Sequence, residues 1–161
     1  MLSGVWSVVP LAALLEARLD ASDLGLLLSG THSFDVDEWK RQTTVEAASD
    51  VPPASKAARA ASFFRVLQSF DDETRAKLFA FATGLQRLPA TGGFARLEPK
   101  FTLQLLGPAF AGRLPVAHTC FNALQLAPAG EDDGGEGAAD AALARALTTA
   151  VTYGGEGFGL V

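Results

Sequence analysis

The stretch Leu114-Pro115-Val116-Ala117-His118-Thr119-Cys120-Phe121-Asn122 holds the chain's one cysteine, one of its two histidines, a hydroxyl and an amide. A single thiol makes no internal disulfide and no cysteine metal cluster. It is either a packed side chain, the common condition of a free cysteine, or a nucleophile. A nucleophilic cysteine needs thiolate character, access and a way to hold the acyl group. If this stretch is extended, His118 and Cys120 point to the same side, which brings an imidazole towards the sulfur. The plainer alternative is that His118 and Asn122 satisfy backbone groups of a loop. A protease-like Cys–His pair is not favoured, because no third group is evident to orient the base. Thioester exchange asks for less. A free thiol with a pKa of about 8.5 keeps a few per cent thiolate at neutral pH. The leaving group is itself a thiolate, so the transfer is nearly balanced. A thiol exposed at the start of a strand suffices.

Such a site needs a frame. The chain has 161 residues and 48% hydrophobic content, which fits one ordinary domain with its own core, or one domain plus part of another. Phe34 to Trp39 reads as a brief extended piece leading into a short helix with an acidic cap. Residues 46–56, rich in Ala, Ser and Pro, read as a loop. Phe63, Phe64, Leu67 and Phe70 give a helix over Ala57–Phe70 an apolar face. Asp71 is placed to cap a following helix that buries Leu78, Phe79 and Phe81 and ends at Gly84. Beyond it, Phe94–Leu97 and Phe101–Leu105 read as strands, the second alternating in period two. Thr119–Leu126 reads as a third strand with Cys120 at its beginning. Ala127 to Asp140 carries the run Gly130 to Gly137 and is expected to be a solvated acidic loop, not a calcium site. Leu143 and Leu147 mark a last helix over Ala141–Val151, and a Gly-rich tail bears Phe158. Ahead of all this, Leu11 to Leu19 and Leu24 to Leu28 read as two short apolar helices in need of another surface.

Several classes of function are excluded by composition. A formal charge of −5 with scattered Lys and Arg leaves no basic footprint for nucleic acid or a membrane surface. The apolar run from Val8 to Leu15 contains Pro10 and falls short of the about 20 residues that span a bilayer. The start lacks the basic region of a signal peptide. No phosphate loop, dinucleotide fingerprint or Cys/His metal cluster is present, and no cofactor or metal is expected. One cysteine fits a reducing compartment. The expected location is the cytoplasm, with the nucleus as a second compartment.

The segment around Cys120 resembles the active-site segment of HECT-type ubiquitin ligases. The resemblance extends in the family's order through Leu27-Leu28-Ser29-Gly30, Phe34-Asp35-Val36-Asp37-Glu38-Trp39 and Ser69-Phe70-Asp71. It continues through Arg75–Leu78, Phe81–Gly84, Arg87-Leu88-Pro89, Gly92-Gly93-Phe94 and Glu156–Leu160. It implies an α/β (α+β) fold, a small sheet flanked by helices and preceded by two short helices. Residues 1–29 resemble the last helices of the family's N-terminal lobe, 30–33 its hinge and 34–161 its catalytic C-terminal lobe, with a flexible acidic loop near 127–140. The part of the N-terminal lobe that recruits a ubiquitin-conjugating enzyme is not among these residues. The implied activity is a ubiquitin transferase. Cys120 takes ubiquitin as a thioester from a ubiquitin-conjugating enzyme and passes it to a lysine of a protein substrate. By the same resemblance His118 and Thr119 give polar support and Phe158 serves lysine transfer. The competing expectation is a non-catalytic relic that binds ubiquitin or regulates another ligase.

Overall fold

The computed structural model describes residues 34–89, 92–128 and 135–154. The two short helices expected at the N-terminus, the hinge expected at 30–33, most of the acidic run and the tail with Phe158 lie outside them. Helix α1 spans Val36–Gln42. The Asp35 carboxylate accepts from the backbone N–H groups of Asp37 (2.8 Å) and Glu38 (3.2 Å), so donors that the helix leaves open are satisfied. Acidic residues fill its first turn and Lys40 and Arg41 its last, in line with the helix dipole. Val36 and Trp39, three apart, share the buried face.

Strand β1, Thr44–Ala47, follows at once, where only a loop was expected from residue 46 onward. Four residues are too short to show a period-two pattern, and this strand lies at the sheet edge with half its side chains exposed. Helix α2 spans Pro53–Ser69 and starts a turn earlier than the sequence pattern suggests. Pro53 occupies its first turn, where a missing N–H costs nothing. Helix α3, Asp72–Thr83, is capped by Asp71, whose carboxylate accepts from Thr74 N at 2.8 Å. It ends at Gly84 in the left-handed conformation, φ 73°. Leu78 and Phe79 are buried as expected, and Phe81 is half-buried against the core.

The strand expected at Phe94–Leu97 is instead a 3-10 turn, Gly93–Arg96. Gly92 and Gly93 take φ values of 83° and 44°, which an extended strand does not allow. The turn drives Phe94 into the core, and its N–H donates to Glu38 Oε1 at 3.0 Å. Strand β2, Thr102–Leu105, alternates as expected, with Leu103 and Leu105 inward. The strand expected over Thr119–Leu126 begins with a 3-10 turn, Thr119–Phe121, and only Ala123–Leu126 is strand, while a further strand precedes the turn. The two strands are β3, Val116–His118, and β4, Ala123–Leu126.

Together these form a four-stranded sheet in the order β1-β2-β4-β3. β1 pairs parallel to β2 and β2 parallel to β4, while β3 runs antiparallel to β4. Helices α2 and α3 make the crossover that parallel pairing of β1 and β2 requires. Helix α4, Gly135–Gly154, packs on α2 and α3 and buries Leu147 and Ala150. It starts before Ala141, so residues 135–140 are helical rather than loop. The structure is thus α/β, with a small mixed sheet flanked by helices.

Two polar ties hold the layers. The half-buried Arg59 of α2 donates to Leu106 O (2.8 Å) and Leu126 O (2.7 Å), joining the helix to the ends of β2 and β4. Burial pushes the Arg59 guanidinium pKa down. Asp140 of α4 accepts from Ser62 and from Arg65 Nε and Nη2 of α2, the latter two at 2.8 and 3.0 Å. The Arg65 and Ser62 hydrogen bonds hold the Asp140 carboxyl below its usual pKa. A carboxyl depressed in the folded state stabilises the fold above its unfolded pKa, about 4, and that contribution is lost as the pH falls through the lower folded value. The pair is partly exposed, so about 1 kcal/mol or less is at stake. In acid titrations of stability, Arg65→Ala is expected to flatten the decline below about pH 4. An unchanged slope would show that the tie carries no proton linkage.

Candidate functional site

Cys120 sits in a single 3-10 turn, Thr119–Phe121, that joins β3 to β4. Its thiol is free and exposed. The turn protrudes at the closed end of the β3–β4 hairpin. Phe121 beside it is 68% exposed, and Leu85, just past the cap of α3, is 42% exposed. A large ring left in water next to an accessible thiol is costly unless something covers it in use.

The turn is fixed from two sides. On one side, Thr119 lies against the C-terminal end of α3. A Cβ built on Gly84 would stand 3.5 Å from Thr119 Cβ, an ordinary contact, so it is the left-handed cap and not the approach of Thr119 that calls for glycine. On the other side stands Asn122, the one non-glycine residue with positive φ (48°) among the described residues. It is buried, and its amide Nδ2 donates to Pro99 O at 2.6 Å. Its backbone N–H donates to Thr119 O at 3.2 Å, closing the turn. Its backbone oxygen accepts from Thr102 N at 2.9 Å, where β2 begins.

His118 and Thr119 flank the thiol as the motif requires, but not in the expected geometry. His118 is the last residue of β3 and is exposed. The chain turns immediately after it, so the period-two argument that would set His118 and Cys120 on one side does not hold. Among the described residues, no hydrogen bond links the two side chains. Phe158 lies outside the described residues. Asn122 is the residue that sequence reasoning undervalued. An asparagine directly after a turn and before a strand signals the left-handed conformation, since its short amide tolerates it.

The site is convex. A separate groove of about 180 Å³, lined by residues such as Arg113, Leu126 and Leu143, opens at the other end of the hairpin. It is smaller than the about 300–1,000 Å³ of typical small-molecule sites. Among the described residues, no three His, Cys, Asp or Glu side chains gather to hold a metal, and no helix is long and apolar enough to cross a membrane. An exposed thiol on a turn is open to large partners as well as small ones. It can meet an acyl group presented by another macromolecule.

The whole chain, residues 1–161, matches the HECT-domain (ubiquitin-transferase) family, and the protein belongs to that family. It is 35% identical over 163 aligned positions to the E3 ubiquitin-protein ligase ptr1 of Schizosaccharomyces pombe, covering 99% of this chain and 5% of that protein. It is 36% identical over 146 positions to the E3 ubiquitin-protein ligase TOM1 of Saccharomyces cerevisiae, covering 88% of this chain and 4% of that one. A probable E3 ubiquitin-protein ligase, hulA of Neosartorya fischeri, is 33% identical over 132 positions, 79% of this chain and 15% of its own length. The chain therefore spans about a twentieth of the length of the first two relatives.

Exposure of Cys120 makes a direct prediction. A small alkylating reagent is expected to modify the native protein fully at this one thiol, without denaturant. Modification only after unfolding, read by intact mass, would contradict the exposed turn.

Proposed function

We propose that this chain is the catalytic lobe of a HECT ubiquitin ligase. The free, exposed Cys120 on the turn between β3 and β4 is the observation that carries this reading. In the first step the Cys120 thiolate attacks the thioester carbonyl that links the C-terminus of ubiquitin to a ubiquitin-conjugating enzyme. A new C–S bond forms to Cys120, the old one breaks, and the enzyme's cysteine leaves as thiolate. In the second step a lysine amine of a protein substrate attacks the new thioester. Cys120 leaves as thiolate, the amine loses a proton, and an isopeptide bond results. The first exchange is nearly balanced and the second runs downhill from thioester to amide. Neither step needs a cofactor.

Thiolate chemistry explains why so little machinery surrounds the sulfur. A cysteine is nucleophilic without a strong base, and a thiolate is a good leaving group. Rate then depends on placement. His118 and Thr119 supply polar groups beside the reacting carbonyl, and Phe158 assists the approach of the lysine. The conjugating enzyme is recruited through the N-terminal lobe that the family resemblance implies, and the reducing cytoplasm suits a free catalytic thiol.

The test is a non-reducing gel of the protein mixed with ubiquitin activated as a C-terminal thioester. A thiol-labile adduct is expected with the wild type and none with Cys120→Ala. An adduct that persists in Cys120→Ala would sink the assignment. Saturable ubiquitin binding without any adduct would favour the non-catalytic relic. For Phe158→Ala, assayed in a chain that carries the N-terminal lobe, loading is expected at the wild-type rate. Transfer to lysine should slow by about tenfold or more, a barrier change of about 1.4 kcal/mol. Equal slowing of both steps would remove Phe158 from the transfer reaction.

A further inference from the structure

We propose that Asn122 is a positioning residue, which locks the Cys120 turn to the entrance of β2 and so fixes where the thiol meets the acyl group of ubiquitin. The inference rests on the reading of Cys120 as the acceptor and adds to it the element that aims the sulfur.

Three hydrogen bonds meet at Asn122. Its side chain donates to Pro99 O, its N–H donates to Thr119 O, and its C=O accepts from Thr102 N. The first and third reach the segment leading into β2, which is in turn paired with β1 and β4. The second closes the turn that carries Cys120. One residue therefore connects the reactive turn to the centre of the sheet. Asn122 itself is buried, so truncating its amide leaves a gap beneath the turn and removes the one side-chain bond that reaches Pro99. The left-handed backbone of Asn122 reverses the chain from the turn into β4. Few residues take that conformation, and asparagine is one of them.

The pairing of β3 with β4 and the approach of Thr119 to α3 hold the flanks of the turn, and Asn122 adds the side-chain tie to the segment before β2. Cys120 makes no hydrogen bond among the described residues, and Phe121 is in water. Thr119 leans on α3 through van der Waals contact alone. Without Asn122 the turn keeps its chemistry but loses its aim. A small reagent, which can approach a thiol from many directions, is indifferent to that loss. A protein-sized acyl donor, which docks in one orientation, is not.

Two variants separate the parts of the claim. Asn122→Gly keeps the left-handed backbone and removes the amide donor. Asn122→Asp keeps size and backbone tolerance, but an ionised carboxylate only accepts and would face the Pro99 oxygen. Acceptance from activated ubiquitin thioester is expected to fall by about tenfold to a hundredfold in either. Alkylation of Cys120 by iodoacetamide should stay at the wild-type rate. Amide hydrogen exchange at Thr102 should quicken, reporting directly on the lock. For Asn122→Asp, the acceptance rate relative to wild type should climb as the pH is lowered, because the protonated carboxyl regains a donor.

Wild-type acceptance in both folded variants would overturn the proposal. So would a loss of acceptance matched by an equal loss of alkylation, since Asn122 would then act on the thiol itself and not on its placement. If the wild type forms no adduct at all, the reading of Cys120 fails. The exchange of Thr102 in the two variants then still decides the lock, and unchanged protection there would refute it.

Discussion

Trp39 has no exposed surface, and four phenylalanine rings meet it from four separate segments. Phe94 stacks on it at 4.8 Å, and Phe79 and Phe101 approach edge-on at 5.8 and 5.2 Å. Phe34 closes the cluster. Each such pair adds about 0.5–1.5 kcal/mol beyond the burial of its area. What these rings hold matters more than their sum. Phe79 fixes α3, whose cap at Gly84 supports Thr119. Phe101 fixes the lead into β2, where Pro99 and Thr102 receive Asn122. Phe94 fixes the tight turn that Glu38 of α1 ties down. Both supports of the reactive turn thus trace back to one indole. The cluster carries a cost, since Trp39 Nε1 is a buried donor without a hydrogen-bond acceptor among the described residues.

The polar groups divide the labour differently. Arg59 and Asp140 tie helices to sheet and to each other, away from the thiol. At the thiol itself the protein offers little but exposure and a fixed backbone. That economy suits a reaction in which one thiolate replaces another. Under the proposed function, discrimination would then fall to the surfaces around the exposed turn. The ring of Phe121 is the largest apolar element there.

How much of this was legible depended on whether the signal was local. Asp35, Asp71 and Gly84 announced the ends of α1 and α3, because caps act through hydrogen bonds within a turn. Leu103 and Leu105 announced β2 through their alternation. The motif around Cys120 marked by family resemblance the residue proposed as nucleophile, and its thiol is exposed. β1 escaped notice, since a four-residue edge strand is defined by its partner and not by its own pattern. Phe94–Leu97 misled because a large apolar residue among small ones resembles a strand when the left-handed glycines before it are passed over. The turn at Cys120 was hidden inside an apparently continuous strand for the same reason. Asn122 alone marked the break, and its partner Pro99 lies 23 residues away in sequence.

The order of the sheet has a consequence for how the protein folds. Residues that face each other across β1 and β2, such as Glu46 and Gln104, are 58 positions apart, with two helices between them. Pairings so distant form late, because closing the intervening chain costs entropy before any contact repays it. The β3–β4 hairpin is different, with strands that adjoin through a single turn. Cys120 therefore belongs to the one strand pairing among the described residues that the chain can assemble locally. The pairing of β1 with β2 must wait for the segment that holds α2 and α3 to close, and the hairpin can then dock with β4 against β2 through the contacts of Asn122.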